Sequence, residues 1–201
     1  MTSNLDIFPA MPVDVVIMAA GKGTRMKSKL PKVLHLLAGR ALLQHVVDLA
    51  GALAARQVTV ITGHGATEVE AAIAQSTGAT SQFHLNFVRQ EPQLGTGHAL
   101  QQAVPVMQDD GVVVVLSGDV PLTQPDTLAQ LIAACAGQRL ALLTIDLANP
   151  GGYGRIVRQG EVVQAIVEQK DATPAQRLIS EVYSGIMAVP ARLLKGWLAR
   201  L

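Results

Sequence analysis

Short apolar segments alternate with stretches in which apolar residues recur at helical spacing, from residue 13 to residue 146. The strongest strand signal is Val112–Leu116, five apolar residues of which four are valine, and this composition is typical of a strand buried on both faces. Strands that alternate with helices predict a parallel sheet with helices on both faces. The other predicted strands are 13–18, 58–61, 85–89 and 140–146, and the predicted helices are 41–53, 67–74, 97–104, 125–136 and 193–201.

The pattern changes after residue 149. Residues 151–154 read Gly-Gly-Tyr-Gly, a turn sequence, and shorter apolar segments at 155–157 and 162–168 lie on either side of a Gln-Gly pair. Two short strands around such a pair indicate a hairpin. We therefore expect an α/β fold with a mixed, mostly parallel, Rossmann-like sheet and a small antiparallel lid.

Composition and charge narrow the function classes. The chain has 201 residues, 49% of them hydrophobic, which suits one domain with a substantial core. A net charge of +1 gives no reason to expect nucleic acid or an acidic membrane surface as a partner.

No apolar run approaches the ~18 residues of a membrane span, and residues 1–12 lack the features of a signal peptide. We expect a cytoplasmic protein in which residues 1–12 form a flexible leader. Cys135, the only cysteine, is expected to be a small buried hydrophobe.

A glycine-rich loop follows the first predicted strand, where residues 18–26 read MAAGKGTRM. Ligands of open α/β sheets bind at the carboxyl ends of the strands. Gly21 and Gly23 allow backbone N–H groups to approach an anion closely, and Arg25 and Lys32 add positive charge. The loop therefore favours binding of a triphosphate, although a glycine turn leading into a helix without a ligand stays an alternative.

Two more common phosphate-binding loops do not fit this segment. A dinucleotide fingerprint requires a third glycine, and Met26 occupies that position. A P-loop requires Gly-Lys-Ser or Gly-Lys-Thr after its four variable residues, which the segment lacks.

Residues 19–26, together with Pro31-Lys32, resemble the signature of the nucleotide-diphospho-sugar pyrophosphorylases. Within that family the chain is similar to the uridylyltransferase domain of the bifunctional N-acetylglucosamine-1-phosphate uridylyltransferase/glucosamine-1-phosphate acetyltransferase, from about residue 13 to residue 201. The further segments that carry this resemblance are PKVLH at 31–35, QLGTGHA at 93–99, GDVPL at 118–122, GYGRI at 152–156 and IVEQKDA at 166–172.

The resemblance implies a reaction and its cofactor. UMP would pass from UTP to N-acetylglucosamine 1-phosphate, with Mg²⁺ bound, giving UDP-N-acetylglucosamine and pyrophosphate for cell-wall and lipopolysaccharide biosynthesis. Arg25, Lys32 and Asp119 would be the catalytic residues, and Asp119 would also bind the metal. Asp119 follows the valine-rich strand, so its carboxylate, a ligand type that Mg²⁺ prefers, is expected at the carboxyl edge of the sheet. A plain turn or helix cap is the alternative for this aspartate.

The resemblance also implies which residues bind the two substrates. His98 is expected to be structural, at the start of a helix. A glutamate facing solvent stays the alternative for the sugar site. The predicted nucleotide-binding residues are Met18, Ala19, Ala20, Gly21, Gly23, Thr24, Gln90, Gln93, Gly95 and Thr96, and the predicted sugar-binding residues are Gly154, Glu168 and Tyr183.

The chain departs from the family pattern at two positions and at its end. Tyr183 stands where the family carries a sugar-contacting asparagine, and Ser117 where a tyrosine is frequent. The family's domain continues beyond the position of Leu201, with an asparagine that completes the metal site. It is followed by a β-helical acetyltransferase domain that forms trimers. We therefore expect residues 13–201 to be a C-terminally truncated nucleotidyltransferase domain without the acetyltransferase, trimeric only if a β-helix exists in the full protein.

Two alternative functions stay open. A related nucleotidyltransferase could use another nucleotide, or another acceptor such as a molybdopterin or a polyol phosphate. A nucleotide-binding module without turnover is the second alternative.

Overall fold

The computed structural model describes residues 11–23, 26–78 and 81–201. The chain divides into two compact units, the second of which comprises Leu142–Met187. The first unit comprises the remaining described residues, including 188–201. Its elements are β1 (Val13–Met18), β2 (Leu36–Leu37), β3 (Arg40–Ala41), α1 (Leu42–Ala52), β4 (Gln57–Thr62), α2 (Ala66–Thr77), β5 (His84–Arg89), α3 (Thr96–Ala103), β6 (Val112–Ser117), α4 (Pro125–Cys135) and, after the second unit, α5 (Ala191–Leu198).

Four parallel strands form the sheet of the first unit, in the order β5-β4-β1-β6. Val16 of β1 is in register with Thr59 of β4 and with Val115 of β6. The four valines of β6 are at most 1% exposed, which agrees with a strand covered on both faces. All four strands run in the same direction, so their carboxyl ends meet at one edge of the sheet.

The second unit is antiparallel. Its elements are β7 (Ala141–Asp146), β8 (Arg155–Gln159), β9 (Val162–Val167) and β10 (Glu181–Pro190). β8 pairs with β9 across a tight turn and with β10 on its other side, and β7 pairs with β10. The first residue of β7 and the last three residues of β10 belong to the first unit.

The structure confirms the predicted α/β class with a mixed, mostly parallel set of strands and an antiparallel part. The predicted helix 97–104 is observed as Thr96–Ala103, and 193–201 as Ala191–Leu198. Sequence reasoning missed β10, whose Ser-Gly pair at 184–185 reads as a turn. Gly185 is accommodated inside the strand with a φ of +88°. It also missed β2 and β3, because two-residue strands leave no periodic pattern.

Of the predicted leader, the structure describes residues 11 and 12, and the carbonyl of Pro12 accepts a hydrogen bond from the Val112 amide at 2.9 Å. Within the described residues, no helix combines the length and the apolar character needed to cross a bilayer. Cys135 is fully buried, as expected for a small apolar side chain.

Candidate functional site

A cavity of about 640 Å³ opens at the carboxyl edge of the parallel sheet. Hydrogen bonding between neighbouring strands continues beyond the end of β1. The Ala19 amide donates to Ile61 O, and the Gly118 amide donates to Met18 O, both at 2.9 Å. The glycine-rich loop and the turn after β6 therefore border the same space. Eleven sequence-predicted site residues line it: Met18, Ala19, Ala20, Gly21, Gly23, Lys32, Gln90, Gln93, Gly95, Thr96 and Asp119.

Two predicted nucleotide or catalytic residues, Thr24 and Arg25, lie outside the described residues. Four lining residues were not predicted, namely Met26, Val33, Ala99 and Ser117. Three of these have apolar side chains, which gave no chemical signal in the sequence. Ser117 was noticed only as a departure from the family pattern, although a hydroxyl next to Gly-Asp at a strand end was available as a signal.

Lys32 and Asp119 form an ion pair at the wall of the cavity. Lys32 begins a short 3₁₀ turn, Lys32–Leu34, and its Nζ donates to Oδ2 of Asp119. The second carboxylate oxygen accepts a hydrogen bond from Ser117 Oγ at 2.6 Å. The side chains are 39% and 24% exposed, respectively. The pair thus presents one cation and one anion to the cavity.

The Asp119 carboxylate is held in its charged form. Partial burial acts to raise the pKa of Asp119, but the hydrogen bonds from Lys32 and Ser117 and the charge of Lys32 outweigh it. The pKa of Asp119 therefore lies below its ordinary value, since donors to a carboxylate stabilise the ionised state. Asp119 therefore presents negatively charged oxygen atoms to the cavity at neutral pH.

Two glycines allow the loops around the cavity to approach each other. Gly23 has a φ of +58°, and a Cβ there would lie 2.8 Å from Cβ of Lys32. A Cβ on Gly63 would lie 2.5 Å from Nε2 of Gln93 and 2.9 Å from the carbonyl oxygen of Ala20. Neither position accepts a side chain without movement of its neighbours.

Two glutamines join the glycine-rich loop to the loop after β5. Nε2 of Gln93 donates to the carbonyl of Ala20 at 2.6 Å. Nε2 of Gln90 donates to the carbonyl of Gly95 at 2.8 Å and lies 3.1 Å from Nδ1 of His98. Gln90 is only 5% exposed, yet it lines the cavity.

The surroundings of Gln90 determine which of its amide atoms is free. Because a backbone carbonyl such as Gly95 O only accepts hydrogen bonds, the amide must turn its nitrogen to Gly95. Nδ1 of His98 faces the same nitrogen and accepts from it when the ring carries its proton on Nε2. The amide nitrogen of Gln102 lies 3.2 Å from that Nε2 and donates to the carbonyl of His98 at 3.1 Å. The amide oxygen of Gln90 is then left as an acceptor.

The predicted sugar residues lie together in the second unit. The Tyr183 amide donates to the carbonyl of Gly154 at 2.9 Å. A Cβ on Gly154 would lie 3.5 Å from Oε1 of Glu168, so the carboxylate is next to this glycine. Burial raises the pKa of Tyr183 to about 12, and its phenol therefore keeps its proton at neutral pH. The unit thus offers one carboxylate acceptor and one phenolic hydroxyl.

The candidate metal site contains one protein carboxylate. Across the described ranges, no three His, Cys, Asp or Glu side chains come together as a possible metal site. Asp119 is therefore the carboxylate on which a cation would depend in the described part of the cavity. Mg²⁺ is commonly bound by one or two carboxylates together with substrate phosphates and water, and a single ionised aspartate fits that arrangement.

Comparison with known proteins identifies the family. The family model of the MobA-like NTP transferase domain matches residues 15–182. The chain belongs to this family. The match covers most of the chain and includes β1 from Val15 onward, the loop with Lys32, Asp119 and the strands of the second unit up to Val182. Membership makes the chain a nucleotidyltransferase domain.

Close sequence relatives point to the same group. The chain is 78% identical over 189 residues to the bifunctional protein GlmU of Albidiferax ferrireducens, and 70% identical over 194 residues to that of Polaromonas naphthalenivorans. Each alignment covers 94% of the chain but only 41% of the relative. The resemblance inferred from the sequence motifs is therefore confirmed, for a chain that spans about two fifths of the length of these relatives.

Solved structures share the fold. A crystal structure of UDP-glucose pyrophosphorylase complexed with UDP-glucose superposes with a TM-score of 0.75, covering 94% of this chain and 80% of that protein. The two sequences are 18% identical, so the likeness establishes the nucleotidyltransferase fold and nothing finer.

Proposed function

We propose that this domain catalyses Mg²⁺-dependent transfer of UMP from UTP to N-acetylglucosamine 1-phosphate, giving UDP-N-acetylglucosamine and pyrophosphate. The observation that carries the proposal is the opening of residues 18–21, Gly23, Lys32 and Asp119 onto one cavity. High identity to proteins called GlmU supports the choice of UDP-sugar chemistry within the family.

The reaction requires few groups from the protein. An oxygen of the sugar phosphate attacks the α-phosphorus of UTP, and the bond to the β-phosphate bridging oxygen breaks to release pyrophosphate. Negative charge is spread over phosphate oxygens throughout, so positioning and positive charge supply most of the acceleration. We assign this charge to Lys32 and, on the family resemblance, to Arg25.

Mg²⁺ would be held by Asp119 together with the phosphates. When bound, the ion neutralises charge on the phosphate oxygens and fixes their orientation. Ser117 keeps one oxygen of the carboxylate oriented through its hydrogen bond of 2.6 Å. Lys32 then exchanges its carboxylate partner for a phosphate oxygen as the nucleotide enters.

The base of the nucleotide would lie against Gln90, Gln93, Gly95 and Thr96. The free acceptor of Gln90 suits the N3–H donor of uracil and not the unprotonated N3 of cytosine. Gln93, fixed to Ala20 O, would close the pocket beside the glycine-rich loop. This arrangement supports UTP as the nucleotide.

The sugar would be bound by Gly154, Glu168 and Tyr183. A carboxylate can accept hydrogen bonds from two sugar hydroxyls, and charge strengthens them. Gly154 leaves space beside the carboxylate where any side chain would contact Ile166 and Glu168. Tyr183 offers a neutral phenol where the related enzymes carry an asparagine.

Release of pyrophosphate tests the proposal directly. The 201-residue chain is assayed with UTP, Mg²⁺ and N-acetylglucosamine 1-phosphate, alongside Asp119→Asn and the control Lys29→Ala, a change at an exposed loop residue. We expect turnover that Asp119→Asn abolishes and Lys29→Ala leaves unchanged. Absence of both turnover and UTP binding in the unmodified chain would show the proposal to be wrong.

A different acceptor or nucleotide is the second candidate, favoured by one residue. Tyr183 is larger than asparagine and lacks its amide, which changes the groups offered to a sugar. Comparing thermal stabilisation by UTP, CTP and GTP, each with Mg²⁺, separates the candidates. Stabilisation by CTP or GTP alone would favour the alternative, and UTP binding without turnover would favour a binding module.

A further inference from the structure

A buried arginine lies in the middle of the second unit's sheet. Arg155 begins β8, opposite Val182 of β10 and Val167 of β9, and is only 2% exposed. Among the described residues, no carboxylate pairs with it, and its Nε is buried without a hydrogen-bond partner. Its guanidinium is held by two neutral oxygens: Nη2 donates to Oε1 of Gln169 at 2.6 Å, and Nη1 donates to the carbonyl of Tyr153.

We expect the burial of such a cation to cost stability and not to add to it. Burial of a charge without an opposite charge is unfavourable, and an apolar side chain of similar volume is frequently tolerated as well or better. Residues that weaken the fold are found where the structure positions a functional group. The two groups that Arg155 holds therefore indicate its role.

Both partners of Arg155 belong to segments that carry the proposed sugar contacts. Tyr153 directly precedes Gly154, and Gln169 directly follows Glu168. The turn after Glu168 is closed by two hydrogen bonds of 3.0 Å to its carbonyl, from the amides of Asp171 and Ala172. Arg155 thus connects the turn before β8 to the turn after β9.

We propose that Arg155 is a positioning residue for the sugar phosphate: its guanidinium fixes Gly154 and Glu168 relative to each other. This inference rests on the proposed function of those two residues. Glu168 is exposed, so its carboxylate depends on its backbone for its place beside Gly154. Without the guanidinium, the two turns lose a direct connection, and the sugar has to order them when it binds.

The planar fork of arginine suits this task. Its N–H groups diverge in one plane and can reach two oxygens on different segments at once, whereas the lysine ammonium is a compact charge on a flexible stem. We therefore expect Arg155→Lys to keep the charge but lose the connection. Arg155→Met removes both while keeping a long apolar side chain.

Steady-state kinetics of the full 201-residue chain test the role. Arg155→Met and Arg155→Lys are expected to raise KM for the sugar phosphate roughly tenfold or more, with KM for UTP changed by less than about twofold. The matched control is Arg158→Met in the same strand, whose guanidinium forms an exposed pair with Glu181. We expect this control to leave both constants unchanged.

Amide hydrogen exchange gives a second readout that does not need turnover. In Arg155→Lys, the amides of Gly152, Asp171 and Ala172 should exchange about tenfold faster or more, while amides of β1 keep their protection. A wild-type KM for the sugar phosphate in a folded Arg155→Lys would overturn the proposal. If the unmodified chain shows neither turnover nor UTP binding, the proposed function fails, and unchanged exchange at these amides would still overturn the role of Arg155.

Discussion

Nζ of Lys32 is paired with Oδ2 of Asp119, although the two residues are 87 positions apart in the sequence. The pair joins the loop after β1 to the turn after β6, so it brings the carboxyl ends of two neighbouring strands together. Each ion neutralises the other in this arrangement. On the proposed function, a triphosphate with a divalent cation would offer both of them a new partner at the same time, which would couple binding of the nucleotide to binding of the metal.

Replacement of Lys32 by methionine should reduce kcat more than it changes KM. The methionine keeps the length of the side chain but removes the charge that stabilises the phosphate oxygens in the transition state, and loss of one such group typically costs about 10²–10³-fold. Steady-state pyrophosphate release measures both constants. Lys29→Met, which changes an exposed lysine of the same loop, is the control. A Lys32→Met variant with a wild-type kcat would contradict the role of this residue.

The contribution of Asp119 to stability should disappear in acid. Its pKa is lower in the folded protein than in the unfolded chain, so the ionised carboxylate stabilises the folded state. That stability is fully present above the unfolded pKa of ~3.9 and is lost as the pH falls through the folded pKa. We expect the difference in the free energy of unfolding between the wild type and Asp119→Asn to be constant near neutral pH and to shrink below about pH 4.

Denaturant unfolding from pH 7 to pH 2 measures this difference. Since other carboxylates titrate in both proteins, only the difference between them reports on Asp119. A difference that stays the same down to pH 2 would show that Asp119 is not stabilised in its charged form.

A second ion pair supports the opposite edge of the sheet. The buried carboxylate of Asp14 accepts hydrogen bonds from Nε and Nη2 of Arg56 at 2.9 and 2.7 Å, and Nη1 of Arg56 also reaches Asp110. Asp14→Ala leaves the guanidinium beside an apolar strand end. We expect a loss of about 3 kcal/mol in the free energy of unfolding, at the lower end for a broken buried pair because Arg56 is partly exposed.

Asp110→Ala is the matched control for this pair, because its side chain is 64% exposed and surface pairs contribute little. Chemical denaturation of the two variants compares them directly. Equal effects of the two substitutions would refute the greater importance of Asp14.

His98 should influence which base the cavity accepts. His98→Leu removes the acceptor that, with Gly95 O, holds the nitrogen of the Gln90 amide. Gly95 O is then the one remaining acceptor that holds this nitrogen, so the amide turns over more easily and presents a donor to the base. We expect the ratio of UTP to CTP affinity to fall about tenfold, the effect of one mismatched hydrogen bond. Isothermal titration with each nucleotide measures the ratio.

Gln102→Leu is the control for this prediction, since Gln102 contacts the other ring nitrogen of His98 and does not line the cavity. It should keep the selectivity of the wild type. If both variants select UTP as strongly as the wild type does, the orientation of Gln90 does not depend on His98.

The parallel sheet and half of the cavity could be predicted from the sequence, because both leave local signals. The valines of 112–116 predict a strand buried on both faces. The glycines of the loop after β1 predict that backbone N–H groups approach an anion closely. Pairing of Lys32 with Asp119 could not be predicted from spacing, since it depends on the order of strands in the sheet. The sequence placed Lys32 beside the glycine-rich loop and Asp119 after the valine-rich strand, and the family resemblance supplied their catalytic roles.

Other features leave no signal in a single sequence. Arg155 reads as an ordinary polar residue of a short strand, and only the structure reveals that it is buried and bound to neutral oxygens. Strand β10 was missed because Gly185 and Ser184 resemble a turn. Burial of a charge and tolerance of a strand for glycine both depend on contacts that are distant in the chain.

Gly63→Ala should weaken UTP binding without contact with the triphosphate. Gly63 leaves the space in which Gln93 donates to the carbonyl of Ala20 at 2.6 Å. A methyl group there would lie 2.5 Å from the donor and 2.9 Å from the acceptor, so it must push them apart. The loss of this bond, together with movement of the glycine-rich loop, should raise the Kd for UTP about tenfold.

Gly196→Ala in the exposed part of α5, where a Cβ meets nothing within 4 Å, should leave the Kd unchanged and stabilise the helix by about 0.5–1 kcal/mol. Titration calorimetry of both variants compares them, and an unchanged Kd in Gly63→Ala would mean that the contact of Gln93 with Ala20 does not shape the nucleotide pocket.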